Sequence, residues 1–286
     1  MESDFKIAVI GLGLIGGSLA YALKGFKHAE IAGCDTNPET RRMAIKNKAV
    51  SSVYDNAGDA IDGADLVVFC TYPDIIGRLI SENAHRFKKG AVVSDVCGVK
   101  TNVSKIIREA LPEYVDYVGG HPMAGKEVDG FENASSELFW MCGFIITPIE
   151  SSKDSSIELV REMAKYIGST RIAFASPDEH DRVIAYTSDL MHVAASALCL
   201  DYPHEMNRAY TAGAFRDCTR VARINGELWS SLFISNRENV VNEIDRMINS
   251  LSRIRELVVS SDRENLENLL NTVCQNKITM QEKEPE

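Results

Sequence analysis

Three groups of residues have the types and spacing to do chemistry. The first is Gly11-Leu12-Gly13-Leu14-Ile15-Gly16, which follows the β-branched run Ile7, Val9 and Ile10 and leads into the helical apolar pattern Leu19–Leu23. In that setting Gly11 permits a tight turn, Gly13 lets backbone approach a pyrophosphate, and Gly16 lets a helix pack closely on a strand. The helix start then offers unpaired N–H groups and the positive end of its dipole to phosphates. A second strand, Ile31–Cys34, ends at Asp35, nineteen residues after Gly16, where a carboxylate accepts from a ribose hydroxyl. Strand, glycines, helix and acid together predict dinucleotide binding. Asp35 would repel a 2′-phosphate and so favours NAD over NADP, while Arg41 and Arg42 nearby weaken that preference. Thr71-Tyr72-Pro73, the turn after a later strand, is expected on the same crevice.

The second group is Gly119-Gly120-His121-Pro122-Met123-Ala124-Gly125-Lys126-Glu127. Two glycines bring backbone close to a neighbour, and Pro122 stiffens the residue after the imidazole. His121, at a strand end, is therefore placed as a hydrogen-bonding base. Another strand ends at Asp95-Val96-Cys97-Gly98-Val99-Lys100, with Thr101 as a helix cap. The third group lies on helices. His180 and Asp181 fall in the first turn of one, Ser188 and His192 share a face at i and i+4, and Arg216 and Arg220 have the same spacing. Such arginines either grip a carboxylate through paired N–H bonds or form a solvated, salt-bridged face.

These residues need elements to carry them. Up to about residue 150, strands alternate with helices: Asp65–Cys70, a helix to about Phe87, Ala91–Asp95, a helix near Thr101–Ala110, then Asp116–Val118 and Gly143–Pro148. Such units predict an α/β fold, a doubly wound parallel sheet of Rossmann type over residues 1–150, with ligands at the carboxyl ends of its strands. Residues 151–280 read as helical. They run through Ser155–Tyr166, a short strand Arg171–Ala175, and the capping box Ser176-Pro177-Asp178-Glu179, which opens a helix to about Leu200. A helix near Glu205–Arg223, a long amphipathic stretch from Glu227 to about Val259 and a helix over Arg263–Cys274 follow. That stretch has more apolar face than so small a domain covers, which predicts a homodimer built on these helices. Residues 281–286 read as a charged, disordered tail.

The 286 residues carry a formal net charge of −10, which argues against nucleic acid and anionic membranes as partners. It also requires an acidic substrate to meet a local basic pocket. No apolar run reads as approaching the roughly 20 residues that span a bilayer, and the opening residues enter a strand at once, which predicts no signal peptide. Seven scattered cysteines without a Cys-x-x-Cys pair predict reduced thiols in a cytoplasmic protein. Dispersed histidines predict no metal site.

In this order the motifs resemble prephenate dehydrogenase. The resemblance rests on residues 11–18, the Asp-x-x-x-Val-Lys loop at 95–100, His-Pro-Met-Ala-Gly at 121–125, His-Asp at 180–181, Ser-x-Leu-x-His at 188–192, Phe-Arg-Asp-x-Thr-Arg at 215–220 and Leu-Trp at 228–229. It implies a Rossmann domain with a helical dimerisation domain, and NAD-dependent oxidative decarboxylation of the dianion prephenate to 4-hydroxyphenylpyruvate in tyrosine synthesis. It further implies that His121 hydrogen-bonds the ring 4-hydroxyl and accepts its proton. Arg220 would bind a substrate carboxylate and His192 and Lys100 would line the pocket, with Lys126 and Arg216 as further cations. Gly98 stands where many relatives carry a serine that supports the catalytic histidine, so Thr101 or water is expected to substitute. Asp189 and Lys126 likewise replace commoner residues, a histidine and a threonine. These changes leave arogenate open as the alternative substrate. The absence of lysine from residues 177–200 counts against a β-hydroxyacid dehydrogenase. A non-catalytic, NAD-binding sensor gives no reason for cations on the helical side of the cleft.

Overall fold

The computed structural model describes residues 5–201 and 208–282. Two compact units divide the chain at Arg237. The first holds an eight-stranded sheet: β1 (Lys6–Ile10), β2 (Glu30–Cys34), β3 (Ser52–Tyr54), β4 (Leu66–Phe69), β5 (Val92–Asp95), β6 (Asp116–Pro122), β7 (Gly143–Pro148) and β8 (Arg171–Phe174). Their spatial order is β3-β2-β1-β4-β5-β6-β7-β8. The strands from β3 to β6 in that order pair in parallel, whereas β7 runs antiparallel to β6 and β8 runs parallel to β7.

Burial of both sheet faces follows from the period of two. In β1, Ile7 and Val9 enter one apolar cluster while Ala8 and Ile10 enter the other. A strand covered on both sides must be apolar throughout, as this one is. The crossovers α1 (Leu14–Ala22), α2 (Pro38–Lys46), α3 (Ala57–Ile61), α4 (Pro73–Glu82) and α5 (Thr101–Ala110) supply the cover. The order reverses at β1, so a crevice opens beyond the carboxyl ends of β1 and β4.

The sheet extends further along the chain than expected. Helix α6 (Asp154–Tyr166) packs on β6 and β7 and delivers β8 to the sheet edge, so the boundary expected at 150 falls within this layer. The helical run begins instead at α7 (Pro177–Ile184), where Ser176 Oγ accepts from Glu179 N at 3.2 Å, as the capping box requires. It continues through a π-helical turn at Ala185–Asp189 into α8 (Leu190–Leu200), then α9 (Gly213–Thr219) and α10 (Gly226–Ser235). The start of the helix expected near Glu205 lies outside the described residues. The stretch expected as one helix from Glu227 breaks at Asn236, whose N–H closes on Leu232 O at 3.0 Å. From Pro177 to Leu200 the chain is long and apolar enough, by length and composition alone, to cross a bilayer, contrary to the sequence reading. In the fold it carries His180, Asp181 and Asp189, all buried and polar.

The second unit contains α12 (Arg263–Glu282) and all but the first residue of α11 (Arg237–Val259). Val241, Ile248, Leu251, Val258 and Val259 on α11 are exposed. Helix α12 passes Cys274, where the last helix was expected to end, and the tail from residue 283 lies outside the described residues.

Candidate active site

The glycine turn is built as the residue types require. Gly11 has φ +93°, and a Cβ there would lie 2.6 Å from the Cys70 carbonyl oxygen. A Cβ on Gly16 would lie 1.8 Å from the Gly11 carbonyl oxygen, so any side chain at 16 forces α1 away from β1. Gly13 faces open space and stands at the N-cap of α1, with Leu14 and Ile15 in the first turn and no side-chain cap on their N–H groups. Those free donors suit a phosphate anion.

Asp35 organises the far end of this turn. Its Oδ2 accepts from Leu12 N at 2.9 Å and its Oδ1 from Asn37 N at 2.8 Å. Leu12 therefore contributes its N–H to Asp35 and its side chain to the core, not a donor to phosphate. Each carboxylate oxygen keeps a further lone pair for a ribose hydroxyl. Neither nearby arginine offers itself to a 2′-phosphate. Arg41 donates to the Asp35 and Thr36 carbonyl oxygens at 2.8 and 2.9 Å, and Arg42 pairs with Glu39. Thr71 touches Gly11 through Cγ2, while Tyr72 and Pro73 start α4 on the same rim.

Beyond β6, a chain of hydrogen bonds fixes one imidazole. His121 Nδ1 lies 2.8 Å from His180 Nε2, and His180 Nδ1 lies 2.7 Å from Asp181 Oδ1. Asp181 also accepts from Lys100 N at 2.7 Å and Thr101 N at 2.8 Å, at the start of α5. Burial pushes the Asp181 carboxyl up, but the hydrogen bonds from His180 and Thr101 outweigh it and hold the group below its ordinary value. An ionised Asp181 only accepts, so His180 Nδ1 carries the hydrogen and His180 Nε2 is a lone pair. His121 Nδ1 must then donate, which leaves Nε2 of His121 as an unprotonated base. Burial, then the charges of His180 and Lys100, hold the His121 imidazole well below its ordinary value. The ring is neutral near pH 7 and ready to take a proton.

Asn236 ties this relay to the helices. Its side-chain amide donates to Asp181 O at 2.9 Å and to Asp189 Oδ2 at 3.0 Å. The π-helical turn adds a residue to the helix and so rotates Asp189 inward. Burial pushes its carboxyl up to about 6.

Lys100 departs from expectation. Its side chain is 0% exposed, and Nζ donates to Asp95 Oδ1 at 2.5 Å and Cys97 O at 2.7 Å. Asp95 Oδ2 accepts from Tyr117 OH at 2.7 Å. A net charge in that position is tolerated only because the carboxylate is paired with it. Lys100 is therefore a staple of the 95–101 loop and no cation of an open pocket. Gly98 packs on Leu232, with the leucine methyls 3.4 Å from a built Cβ. The support expected from Thr101 or water in place of a serine at 98 comes from His180.

A cavity of about 560 Å³ lies between the loop after His121 and the α8–α10 helices. Lys126 and His192 line it, joined by Arg223 and Trp229. The His192 and Trp229 rings stack at 3.5 Å between centroids, and His192 Nδ1 is held by Val221 O at 3.1 Å. Burial lowers the His192 pKa, which keeps that ring uncharged near neutrality. Arg220 pairs with Glu127, six residues beyond His121, and so crosses from the helices to the histidine loop. Arg216 is exposed on α9 and lines no wall of this cavity. His180 and Asp181 were visible as a motif without a role, and only their contacts reveal one. Arg223 carried no sequence signal.

Comparison with known proteins shows the family and the fold. Residues 19–173 match the family model "Prephenate dehydrogenase, nucleotide-binding domain" and residues 176–272 match "Prephenate dehydrogenase, dimerization domain". The prephenate dehydrogenase of Bacillus subtilis is 30% identical over 267 residues, covering 91% of this chain and 72% of that protein. The cyclohexadienyl dehydrogenase of Zymomonas mobilis is 33% identical over 263 residues, covering 90% and 89%. The crystal structure of Aquifex aeolicus prephenate dehydrogenase, solved with hydroxyphenyl propionate and NAD+, superposes with a TM-score of 0.87 at 27% identity, covering 96% of this chain and 98% of that one. Glycine turn, imidazole relay and helical partner thus occur together in a chain that belongs to the prephenate dehydrogenase family.

Proposed function

We propose that this protein oxidises prephenate with NAD, releasing CO₂ and 4-hydroxyphenylpyruvate in tyrosine synthesis. The observation that carries the reading is the His121–His180–Asp181 relay, which leaves a neutral base beside a dinucleotide crevice. When bound, NAD supplies the acceptor for the hydride from C4 of the substrate. His121 takes the hydroxyl proton at Nε2 as the carbonyl forms, and the imidazolium is stabilised through His180 by Asp181. Arg220, assisted by Lys126, holds a substrate carboxylate. Loss of CO₂ then sends the electrons of the broken bond through the ring to the C4 oxygen, which recovers its proton from His121 as the aromatic product forms. Positioning and one base are therefore what the protein must provide.

The exposed apolar residues of α11 fit a second copy of the chain, and we assign a homodimer on that ground; the free thiols of Cys34, Cys70 and Cys97 fit a cytoplasmic protein. The direct test follows reduced-nicotinamide absorbance with prephenate and arogenate, each with NAD⁺ and NADP⁺. Rapid reduction with prephenate and NAD⁺ is expected; cofactor binding without turnover of either substrate would sink the reading. Faster turnover of arogenate would support the alternative.

Cofactor choice has its own test. Asp35→Asn keeps the bond to Leu12 N but removes the charge that faces a 2′-phosphate. Its KM for NAD⁺ should rise about 10-fold or more, the size of a lost charge-assisted hydrogen bond, while NADP⁺ becomes a usable substrate. An unchanged ratio of kcat/KM for the two cofactors would remove Asp35 from the ribose site.

A further inference from the structure

We propose that Arg223 binds the second carboxylate of the substrate from the wall of this cavity. The inference rests on the reading above, in which the substrate is a dianion. Prephenate carries one carboxylate on the ring carbon opposite the 4-hydroxyl and the second at the end of the pyruvyl side chain attached to that same carbon. A base at the hydroxyl therefore places two negative charges together at the far end, and one arginine cannot neutralise both.

The charges on the cavity wall are unevenly satisfied. Glu127 is paired with Arg220, and Asp129 accepts from Asn225 Nδ2 at 2.9 Å, so both acids have partners. Lys126 has, among the described residues, only a long contact of 3.4 Å with the Asn133 carbonyl oxygen. Among the described residues nothing hydrogen-bonds or pairs with Arg223, although it lines the cavity. Lys126, Arg223 and the Arg220 that pairs with Glu127 outnumber the acids Glu127 and Asp129 by one, so the region carries a net positive charge and suits an anion. Arg223 stands three residues beyond Arg220, just past the 3₁₀ turn Arg220–Ala222. His192 Nδ1 on Val221 O and Asn225 on Asp129 clamp the segment from both ends, so the guanidinium is presented from a fixed backbone.

The test uses the full chain saturated with NAD⁺. Arg223→Ala should raise KM for prephenate about 10-fold or more, with kcat within about two-fold of wild type because the reacting end is untouched. Arg223→Lys should recover most of that loss. In a His121→Asn background, where turnover is expected to be about 10²–10⁴-fold slower, calorimetry should show the same weakening of prephenate binding when Arg223→Ala is added. Unchanged KM and Kd in Arg223→Ala would overturn the assignment while leaving the dehydrogenase reading intact. Arg223→Lys behaving no better than alanine would also overturn it, by showing that shape and not charge matters. Failure of the wild-type chain to turn over or bind prephenate would bring down both readings together.

Discussion

Replacing His121 by asparagine is expected to lower kcat by about 10²–10⁴-fold, the usual contribution of a positioned proton acceptor, with KM for prephenate nearly unchanged. Asparagine keeps a polar side chain of similar reach but has no lone pair basic enough to take the hydroxyl proton. Because ground-state contacts survive, the loss should appear in kcat and kcat/KM alike. The pH profile gives an independent reading of the same group. The base works only when neutral, so kcat/KM falls as pH drops through the folded-state pKa of His121. Burial, with the charges of His180 and Lys100, lowers that pKa. The acid limb should therefore lie below the ordinary imidazole value of about 6.5, leaving a plateau through neutrality. His121→Asn should abolish the limb along with the rate. A wild-type limb above pH 7, or a variant with native turnover, would remove His121 from this role.

Asp181→Asn should be nearly as damaging, although the residue touches neither substrate nor cofactor. Its carboxylate forces the hydrogen onto His180 Nδ1 and, through His180 Nε2, onto His121 Nδ1. An amide that turns its NH₂ toward His180 reverses both tautomers. His180 Nε2 then donates to His121 Nδ1, the hydrogen of His121 moves to Nε2, and the base is blocked. A wrong tautomer in an Asp–His arrangement of this kind lowers kcat by about 10⁴-fold in the best-known case, a serine protease; the longer relay here should give about 10²–10⁴-fold. A purely structural role makes a different prediction. Asp181 also caps the start of α5 through Lys100 N and Thr101 N, so some stability will be lost. Cofactor and prephenate binding by calorimetry should stay within a few-fold of wild type while kcat collapses. If binding and turnover fell in parallel, Asp181 would be a structural cap and no more.

Much of this was legible from residue types. Gly11, Gly16 and Asp35 specify backbone geometry and a short-range contact that the local chain nearly completes alone, because the strand, turn and helix they join are consecutive. The helix start at Ser176 was equally readable, since a capping box is a local hydrogen-bond pattern. The short β3 with its neighbours α2 and α3 went unread, being brief elements whose burial comes from partners distant in sequence. The addition of β8 to the sheet and the break at Asn236 were invisible for the same reason.

The site divides along that line too. Sequence alone determined that a dinucleotide-binding turn and a rigid histidine loop lie at strand ends, because periodicity and glycine placement are properties of neighbouring residues. Tertiary structure decided which polar group meets which: His121 with His180 across 59 residues, Arg220 with Glu127 across 93, and Lys100 turned inward onto Asp95. A hydrogen bond or ion pair depends on ångström distances and on what else competes for the same donor. Those distances are set by the packing of whole layers, which no short window of sequence contains.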